Sequence, residues 1–178
     1  VSLSICDKSM EITHSSQLHK FFSELGERCA FSANIYIFGG SAILLIGGTR
    51  HTGDVDFTIQ SSDDNAFRKI IQSLANENSI DAEESVPSEF MPLPTESESR
   101  HQLVGRYGQL TAYTFDPYSI ALMKIDRAFE RDLADVYFLI HNGYIQVDLL
   151  EKYLDEVAQR YDEPMKLRKN FEEMKRGL

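Results

Sequence analysis

The sequence predicts a mixed α/β (α+β) fold that ends in a helical part. Three short runs have the length and the β-branched or aromatic content of strands, at 34–38, 54–59 and 110–115. Stretches with helical periodicity separate them and fill the last third of the chain. The chain has 178 residues, 42% of them hydrophobic, which is enough to bury one core. We expect a core, 1–116, and a helical part, 117–178, packed on it as a single compact unit.

The first half contains alternating helices and strands with recognisable starts and stops. Serines at 15 and 16 can cap the first helix, and the pair Gly47-Gly48 stops the second. Residues 61–64 are serines and aspartates, which are typical of the first turn of a helix and of the residue that caps it. The predicted order is helix, strand, helix, strand and helix, over 15–29, 34–38, 41–46, 54–59 and 61–74.

The second half is predicted to change from extended chain to helices. Three prolines punctuate 80–94, so we expect that region to be extended, and we expect the polar segment 95–101 to be a mobile loop. Asp116-Pro117 starts a helix well, because aspartate caps and proline suits the first turn. One apolar stripe from 122 to 140, ended at 142–143, predicts one long helix, and two further helices are predicted over 149–161 and 165–174.

Charge and cysteine content limit the classes of function. The formal net charge of −10 disfavours broad, nonspecific nucleic-acid binding, although it permits a local basic track. Cys6 and Cys29 match no metal-ligand spacing, so we expect free thiols in a reducing cytoplasm, with a disulfide between them as the alternative. No signal pattern and no run of membrane-spanning length occurs, so we expect a cytoplasmic protein that does not enter a membrane.

The strand at 54–59 carries two aspartates on one face. Side chains alternate across a strand, so Asp54 and Asp56 point to one side while Val55 and Phe57 point to the other. Two anions on one face repel each other unless a cation lies between them. Carboxylate oxygens suit Mg2+ or Mn2+, so this pair is predicted to bind metal and to act in catalysis. The alternative is a solvated acidic edge.

A glycine turn precedes this strand. Gly39 and Gly40 allow the backbone to approach a phosphate, and Ser41 would add a hydroxyl or cap the helix that follows. Arg50 would hold a triphosphate oxygen or tie down the aspartate strand. We include Thr52, which lies just before the aspartates, among the predicted nucleotide-binding residues. A tight turn without ligand is the simpler interpretation of the glycine pair.

A second cluster of charge falls within the long predicted helix. Helical spacing would place Lys124, Arg127 and Arg131 on one face, with Asp132 and Asp135 close to it. One interpretation is a solvated face with weak ion pairs. The other is that Lys124 meets phosphate charge while Asp132 acts as a base or as a third metal ligand.

These residues together resemble a known superfamily. The pattern Gly39-Gly40-Ser41 … Arg50-x-Thr52-x-Asp54-x-Asp56 resembles the DNA polymerase β-like nucleotidyltransferases. The later run from Asp116 to Val136 is similar to a bacterial branch that includes the DUF6036 proteins and the AbiEii/MenT-type toxins. The resemblance covers roughly 34–145 and fits the DUF6036 proteins best. It implies a minimal nucleotidyltransferase mixed sheet flanked by helices, with a helical C-terminal part.

The resemblance also implies ligands and roles. NTP and a divalent metal would bind at Asp54 and Asp56, and Lys124, Arg131 and Asp132 would line the same cleft. Many enzymes of this superfamily carry a third carboxylate on a later strand. The candidates here are Asp81, Glu83 and Glu84, but none lies in a convincing apolar strand. We therefore assign the third acidic role to Asp132, as in the toxin branch.

The function implied is nucleotidyl transfer. An NMP would pass from an NTP to a hydroxyl of RNA, tRNA included, or of a protein. The toxin branch adds the expectation of a toxin–antitoxin or defence role with a cognate antitoxin as partner. The alternative is a catalytically silent module of the same fold that binds a nucleotide or a protein partner.

Overall fold

The computed structural model describes residues 10–178, and those residues form a mixed α/β fold, as predicted. They contain a five-stranded sheet with the order β3-β2-β1-β5-β4, in which β2 pairs antiparallel with β1 and parallel with β3. The strands are β1 (Ala33–Ile37), β2 (Asp54–Ser61), β3 (Asp81–Glu84), β4 (Gln102–Tyr107) and β5 (Leu110–Thr114). The helices are α1 (Ser15–Arg28), α2 (Gly39–Leu45), α3 (Asp64–Glu77), α4 (Pro87–Phe90), α5 (Pro117–Arg127), α6 (Glu130–His141), α7 (Val147–Ala158) and α8 (Pro164–Lys175).

The chain divides into two compact units. Among the described residues, the first comprises 10–84 and 104–112, and the second comprises 85–103 and 113–178. The predicted division into 1–116 and 117–178 differs from these units mainly in segment 85–103, which groups with the helices that follow it. No helix within residues 10–178 has the length and apolarity to cross a membrane.

The core of the first unit is built from the predicted stripes. Leu18, Phe22 and Leu25 of α1 are fully buried, and so are Ile35 and Ile37 of β1. The periodicity of α1 and the alternation of β1 were therefore sufficient to predict both elements. Cys29, which follows α1, is also buried, and this burial raises the pKa of its thiol. Cys6 lies outside the described residues.

Strand β3 corrects the prediction that 80–94 is simply extended. It is a short edge strand, parallel to β2, with Asp54 opposite Asp81 and Asp56 opposite Glu83. All but one of its residues are exposed, so apolar alternation is not needed there and the sequence pattern missed it. Pro87, which was expected to interrupt the chain, begins the short helix α4.

The single long helix predicted from Pro117 to its stop at 142–143 is also wrong, because the helix is interrupted between α5 and α6. Ala128 adopts a left-handed conformation with φ 54°, and Phe129 starts the next helix. A left-handed backbone conformation costs a non-glycine residue roughly 1–2 kcal/mol, so such a position is usually occupied by glycine. Because alanine stands there instead, the sequence carries no glycine signal for the break. The apolar spacing continues across it, because both helices bury their apolar faces within the second unit.

The segment 95–101, predicted to be a mobile loop, is anchored by Arg100. Its guanidinium donates from Nε to Asp116 Oδ1 at 2.9 Å and from a terminal nitrogen to Asp116 Oδ2 at 3.1 Å. It also lies 4.4 Å from the centroid of the Tyr153 ring. Asp116, fully buried, accepts bonds from the backbone N–H groups of Tyr118 and Ser119, so its predicted capping role is confirmed.

Replacing Gly26 by alanine should destabilise the first unit. Alanine is the better helix former by about 1 kcal/mol. Its Cβ, however, would overlap the backbone oxygen of Tyr107, the last residue of β4, and a backbone atom cannot rotate away as a side chain can. We expect Gly26→Ala to lower the free energy of unfolding by about 2 kcal/mol or more in urea titrations. Gly53→Ala is the matched control, since nothing lies within 4 Å of an added Cβ there. Equal stability of the two variants would contradict this packing.

Candidate functional site

The candidate site of the first unit lies where β1 passes into α2 beside the start of β2. Ile37, the last residue of β1, pairs with Phe57 of β2. The next backbone N–H, of Phe38, donates to the carbonyl of Asp56 at 3.0 Å. The chain therefore turns into α2 directly opposite Asp56. Helix α2 begins at Gly39, two residues earlier than predicted, so both glycines form its first turn.

Asp56 lies against Gly39. This glycine has φ +63°, a conformation that favours glycine. A Cβ built on it would overlap Asp56 Oδ2 and come within 3.0 Å of Asp56 Cγ. The carboxylate of Asp56 thus occupies the space that any side chain at position 39 would need. The sequence predicted that the acidic pair lies near the glycine turn, and Asp56 does lie there.

Asp54 is held by two hydroxyl groups. Ser41 donates from Oγ to the carbonyl oxygen of Asp54 at 2.7 Å, and Thr52 donates from Oγ1 to Asp54 Oδ1 at 2.9 Å. Ser41 is fully buried and Phe38 is the residue that caps α2. The hydroxyl of Ser41 therefore fastens α2 to β2, which is neither of the two roles considered from the sequence.

Arg50 also reaches the glycine turn. A Cβ on Gly40 would lie 3.0 Å from an Arg50 terminal nitrogen and 2.9 Å from Thr52 Oγ1. The guanidinium of Arg50 and the hydroxyl of Thr52 therefore both pack on the bare Cα of Gly40. The structure brings together all seven residues that the sequence assigned to this part of the site: Gly39, Gly40, Ser41, Arg50, Thr52, Asp54 and Asp56.

The alternation of β2 places its acids and its apolar residues as predicted. Val55 and Phe57 are buried, whereas Asp54 and Asp56 are half-buried on the other face. Residues paired in register point to the same face of a sheet, so Asp81 and Glu83 of β3 share the face of the two aspartates. The sequence feature that indicates this alignment is the order strand, helix, strand over β2, α3 and β3, because a helical connection permits the two strands to pair in parallel.

The donor set fits a magnesium-like ion only in part. Mg2+ in proteins is usually bound by one or two carboxylates, with substrate phosphates and water completing its octahedron. Asp54 and Asp56 match that pattern. Among residues 10–178, however, no group of three or more His, Cys, Asp or Glu side chains is close enough to hold a metal ion. Further ligands would therefore come from phosphate oxygens or water.

The second charge cluster lies within the second unit and is buried. Lys124 of α5 donates to Asp135 Oδ2 at 2.7 Å and to Asp132 Oδ1 at 3.3 Å, both on α6. Arg127 donates to the same Asp132 oxygen at 2.7 Å. Lys124, Asp132 and Asp135 are at most 5% exposed, so a solvated face is the wrong description for them. Arg131 is exposed in the first turn of α6.

The predicted common face of Lys124, Arg127 and Arg131 is likewise wrong, because the break at Ala128 places the lysine and Arg131 on different helices. The same break folds α6 back on α5, which lets one lysine meet two carboxylates eight and eleven residues later in the chain. No helical spacing rule predicts that arrangement.

Comparison with known proteins gives one structural neighbour and one family. The chain is similar to an antigenic nucleotidyltransferase-like protein from Paracoccidioides brasiliensis, with 18% sequence identity and a TM-score of 0.49. The match covers 87% of this chain and 94% of that one. A comparison with curated proteins finds no match.

A family model described as "Nucleotidyltransferase of unknown function (DUF6036)" matches residues 16–177. The match includes the glycine turn, the aspartate pair and the α5–α6 ion cluster, so the predicted resemblance to DUF6036 is confirmed. The chain belongs to the DUF6036 family of nucleotidyltransferases.

Proposed function

We propose that this protein is a metal-dependent nucleotidyltransferase that moves an NMP from an NTP to a hydroxyl of RNA or protein. The observation that carries the proposal is the packing of the Asp56 carboxylate on Gly39, which places the acidic pair beside the glycine turn. Membership of a nucleotidyltransferase family supports the general class. The substrates and the metal are inferred from the chemistry of the residues.

Asp54 and Asp56 would hold the Mg2+ or Mn2+ ion. Such an ion neutralises phosphate charge and makes an attacking hydroxyl more acidic. The two carboxylates supply the negative charge that makes divalent binding favourable, and their half-buried position strengthens that attraction relative to open water.

Gly40 and Arg50 would receive the phosphates. Because position 40 has no side chain, the Arg50 guanidinium packs directly on the first turn of α2, where it would meet a phosphate that binds beside the glycine turn. Guanidinium–phosphate contacts are charge-assisted and often bidentate, which orients the phosphate as well as attracting it. Ser41 is fully buried and its hydroxyl donates to the Asp54 carbonyl, so its contact with a phosphate stays a prediction.

Of the acidic residues considered for a third role, Glu83 lies on the same face as the aspartate pair, but among residues 10–178 it completes no group of three side chains close enough to hold a metal ion. Glu83 pairs in register with Asp56, whereas Glu84 points to the opposite face and pairs with Arg68 of α3. Asp132 already accepts from Lys124 and Arg127 in the second unit. Lys124 forms ion pairs with two buried carboxylates, those of Asp132 and Asp135. This pairing favours a structural role for Lys124 over phosphate binding. Any action of Lys124, Arg131 or Asp132 on a nucleotide stays a prediction.

The basic residues near the C-terminus form ion pairs with acidic residues, which argues against an extensive RNA-binding surface. Lys166 pairs with Asp126 at 3.1 Å, Lys175 pairs with Glu151 at 3.0 Å, and Arg168 pairs with Asp155. With a net charge of −10 as well, the protein is better suited to an acceptor bound at one point, such as an RNA 3′ end or a protein side chain. A toxin–antitoxin or defence role, with an antitoxin as partner, is proposed only from the resemblance to the toxin branch.

A second candidate function is a silent binding module. It is favoured by the lack of a third metal-ligating side chain near the aspartates among the described residues. Calorimetry with ATP and Mg2+, combined with the labelling assay below, separates the two functions. Tight binding without transfer to any acceptor would favour the silent module.

Removing both aspartates should abolish transfer. We expect Asp54→Asn with Asp56→Asn to reduce the rate at least 1,000-fold, which corresponds to about 4 kcal/mol. The measurement is incorporation of label from the four α-labelled NTPs into total RNA and cell lysate. Asp148→Asn with Asp162→Asn, two exposed aspartates of the second unit, matches the change in charge. The proposal is wrong if no mixture is labelled or if the site variant keeps full activity.

The contact between Gly39 and Asp56 gives a second test. Gly39 and Gly47 both have positive φ, +63° and +99°, so alanine at either should cost about 1–2 kcal/mol of stability. Only at position 39 does the new Cβ displace a carboxylate. We therefore expect Gly39→Ala to lose about 100-fold in initial rate while Gly47→Ala stays close to wild type. Equal rates for the two variants, at similar stability in urea, would contradict the site.

The ion cluster of the second unit predicts a stability effect. We expect Lys124→Met to lower the free energy of unfolding by about 3–5 kcal/mol, because it removes the buried cation that Asp132 and Asp135 share. Lys152→Met, at an exposed position on α7, is the control. Adding Asp132→Asn and Asp135→Asn to Lys124→Met should recover part of the loss. A Lys124→Met variant as stable as the control would rule out the structural role.

A further inference from the structure

We propose that Thr52 is a positioning residue whose hydroxyl fixes the orientation of the Asp54 carboxylate, and that the segment before α1, residues 10–14, holds Thr52 in place. The inference deepens the proposed function. What it implies for a bound cation rests on that function. Thr52 itself need not touch the nucleotide or the ion.

The hydroxyl of Thr52 is committed to the carboxylate. Thr52 is 3% exposed, and its Oγ1 lies 2.9 Å from Asp54 Oδ1 and 3.2 Å from the Asp54 carbonyl oxygen. A hydroxyl has one proton to donate. The carbonyl already accepts from Ser41 at 2.7 Å, so the side-chain oxygen is the better acceptor for Thr52.

The backbone of Thr52 is held by a two-residue bridge. Ile12 donates to the Thr52 carbonyl at 2.8 Å, and Thr52 donates back to the Ile12 carbonyl at 3.0 Å. Ile12 is fully buried, and the backbone N–H of Met10, two residues earlier, donates to the carbonyl of Ser79 at 2.7 Å. The segment before α1 thus anchors the loop that precedes β2. Without this anchor, an exposed loop of glycine and polar residues would carry the threonine.

The side chain of Thr52 has little freedom to rotate. Threonine is β-branched, so χ1 is restricted, and its hydroxyl packs on Gly40, where an added Cβ would lie 2.9 Å away. A fixed donor beside Asp54 removes conformational freedom from the carboxylate before any ligand binds. Groups that orient metal-binding side chains in this way typically change metal affinity by 10–100-fold when they are removed.

Three variants separate the hydroxyl from the rest of the side chain. Thr52→Val removes the donor and keeps the shape, Thr52→Ser keeps the donor, and Thr49→Val is an exposed control in the same loop. The first measurement is the carboxyl 13C resonance of Asp54 in the metal-free protein. We expect it to shift in Thr52→Val, and to remain close to wild type in Thr52→Ser and Thr49→Val.

The second measurement is Mn2+ affinity, from the EPR signal of free Mn2+. We expect Thr52→Val to bind at least 10-fold more weakly and Thr52→Ser to bind within about 3-fold of wild type. Urea titration of each variant confirms that the comparison is made between folded proteins.

The outcomes distinguish the inference from the proposed function. An Asp54 resonance unchanged by Thr52→Val overturns the inference, and so does a Thr52→Ser variant as impaired as Thr52→Val. Wild-type protein that binds no Mn2+ contradicts the metal in the proposed function, while the Asp54 resonance still decides the role of Thr52.

Discussion

The antiparallel pairing of β1 with β2 is the constraint on which the candidate site depends. Because Phe38 continues the ladder to Asp56, the chain leaves β1 at one fixed level of β2, and the turn into α2 must form there. A slip of one residue would exchange the faces of the whole strand, placing Asp54 and Asp56 in the core and Val55 and Phe57 outside. The burial of Val55 and Phe57 therefore fixes the position of the aspartates.

Small residues make this arrangement possible at close range. Gly39 leaves room for one carboxylate, and Gly40 leaves room for a guanidinium and a hydroxyl. Around them, hydroxyl groups of Ser41 and Thr52 satisfy the backbone and side chain of Asp54. The result is a cluster of opposite charges and donors held by the rigid ends of a strand and a helix. Such preorganisation is what positioning and electrostatic catalysis of phosphoryl chemistry require.

In the second unit, the ion pairs of Lys124 and Asp116 are buried in the interior. Lys124 and its two carboxylate partners are almost completely buried, and Arg100 is bound to the buried Asp116 while it packs on Tyr153. Buried pairs of this kind contribute little net stability, but each is costly to break, because the remaining charge is stranded without water. They therefore fix how α5, α6 and the turn before β4 pack within this unit.

The sequence alone determined the fold class, the helices and strands with clear periodicity, the two faces of β2 and the residues gathered at the glycine turn. Those features depend on local rules, namely alternation, capping and glycine conformation. Only the tertiary structure decided the break at Ala128, the short edge strand β3 with Glu83 opposite Asp56, and the burial of Lys124 between two aspartates. These depend on partners distant along the chain, and a left-handed alanine or an acidic edge strand is stabilised by its neighbours in space and leaves no periodic signal in the sequence.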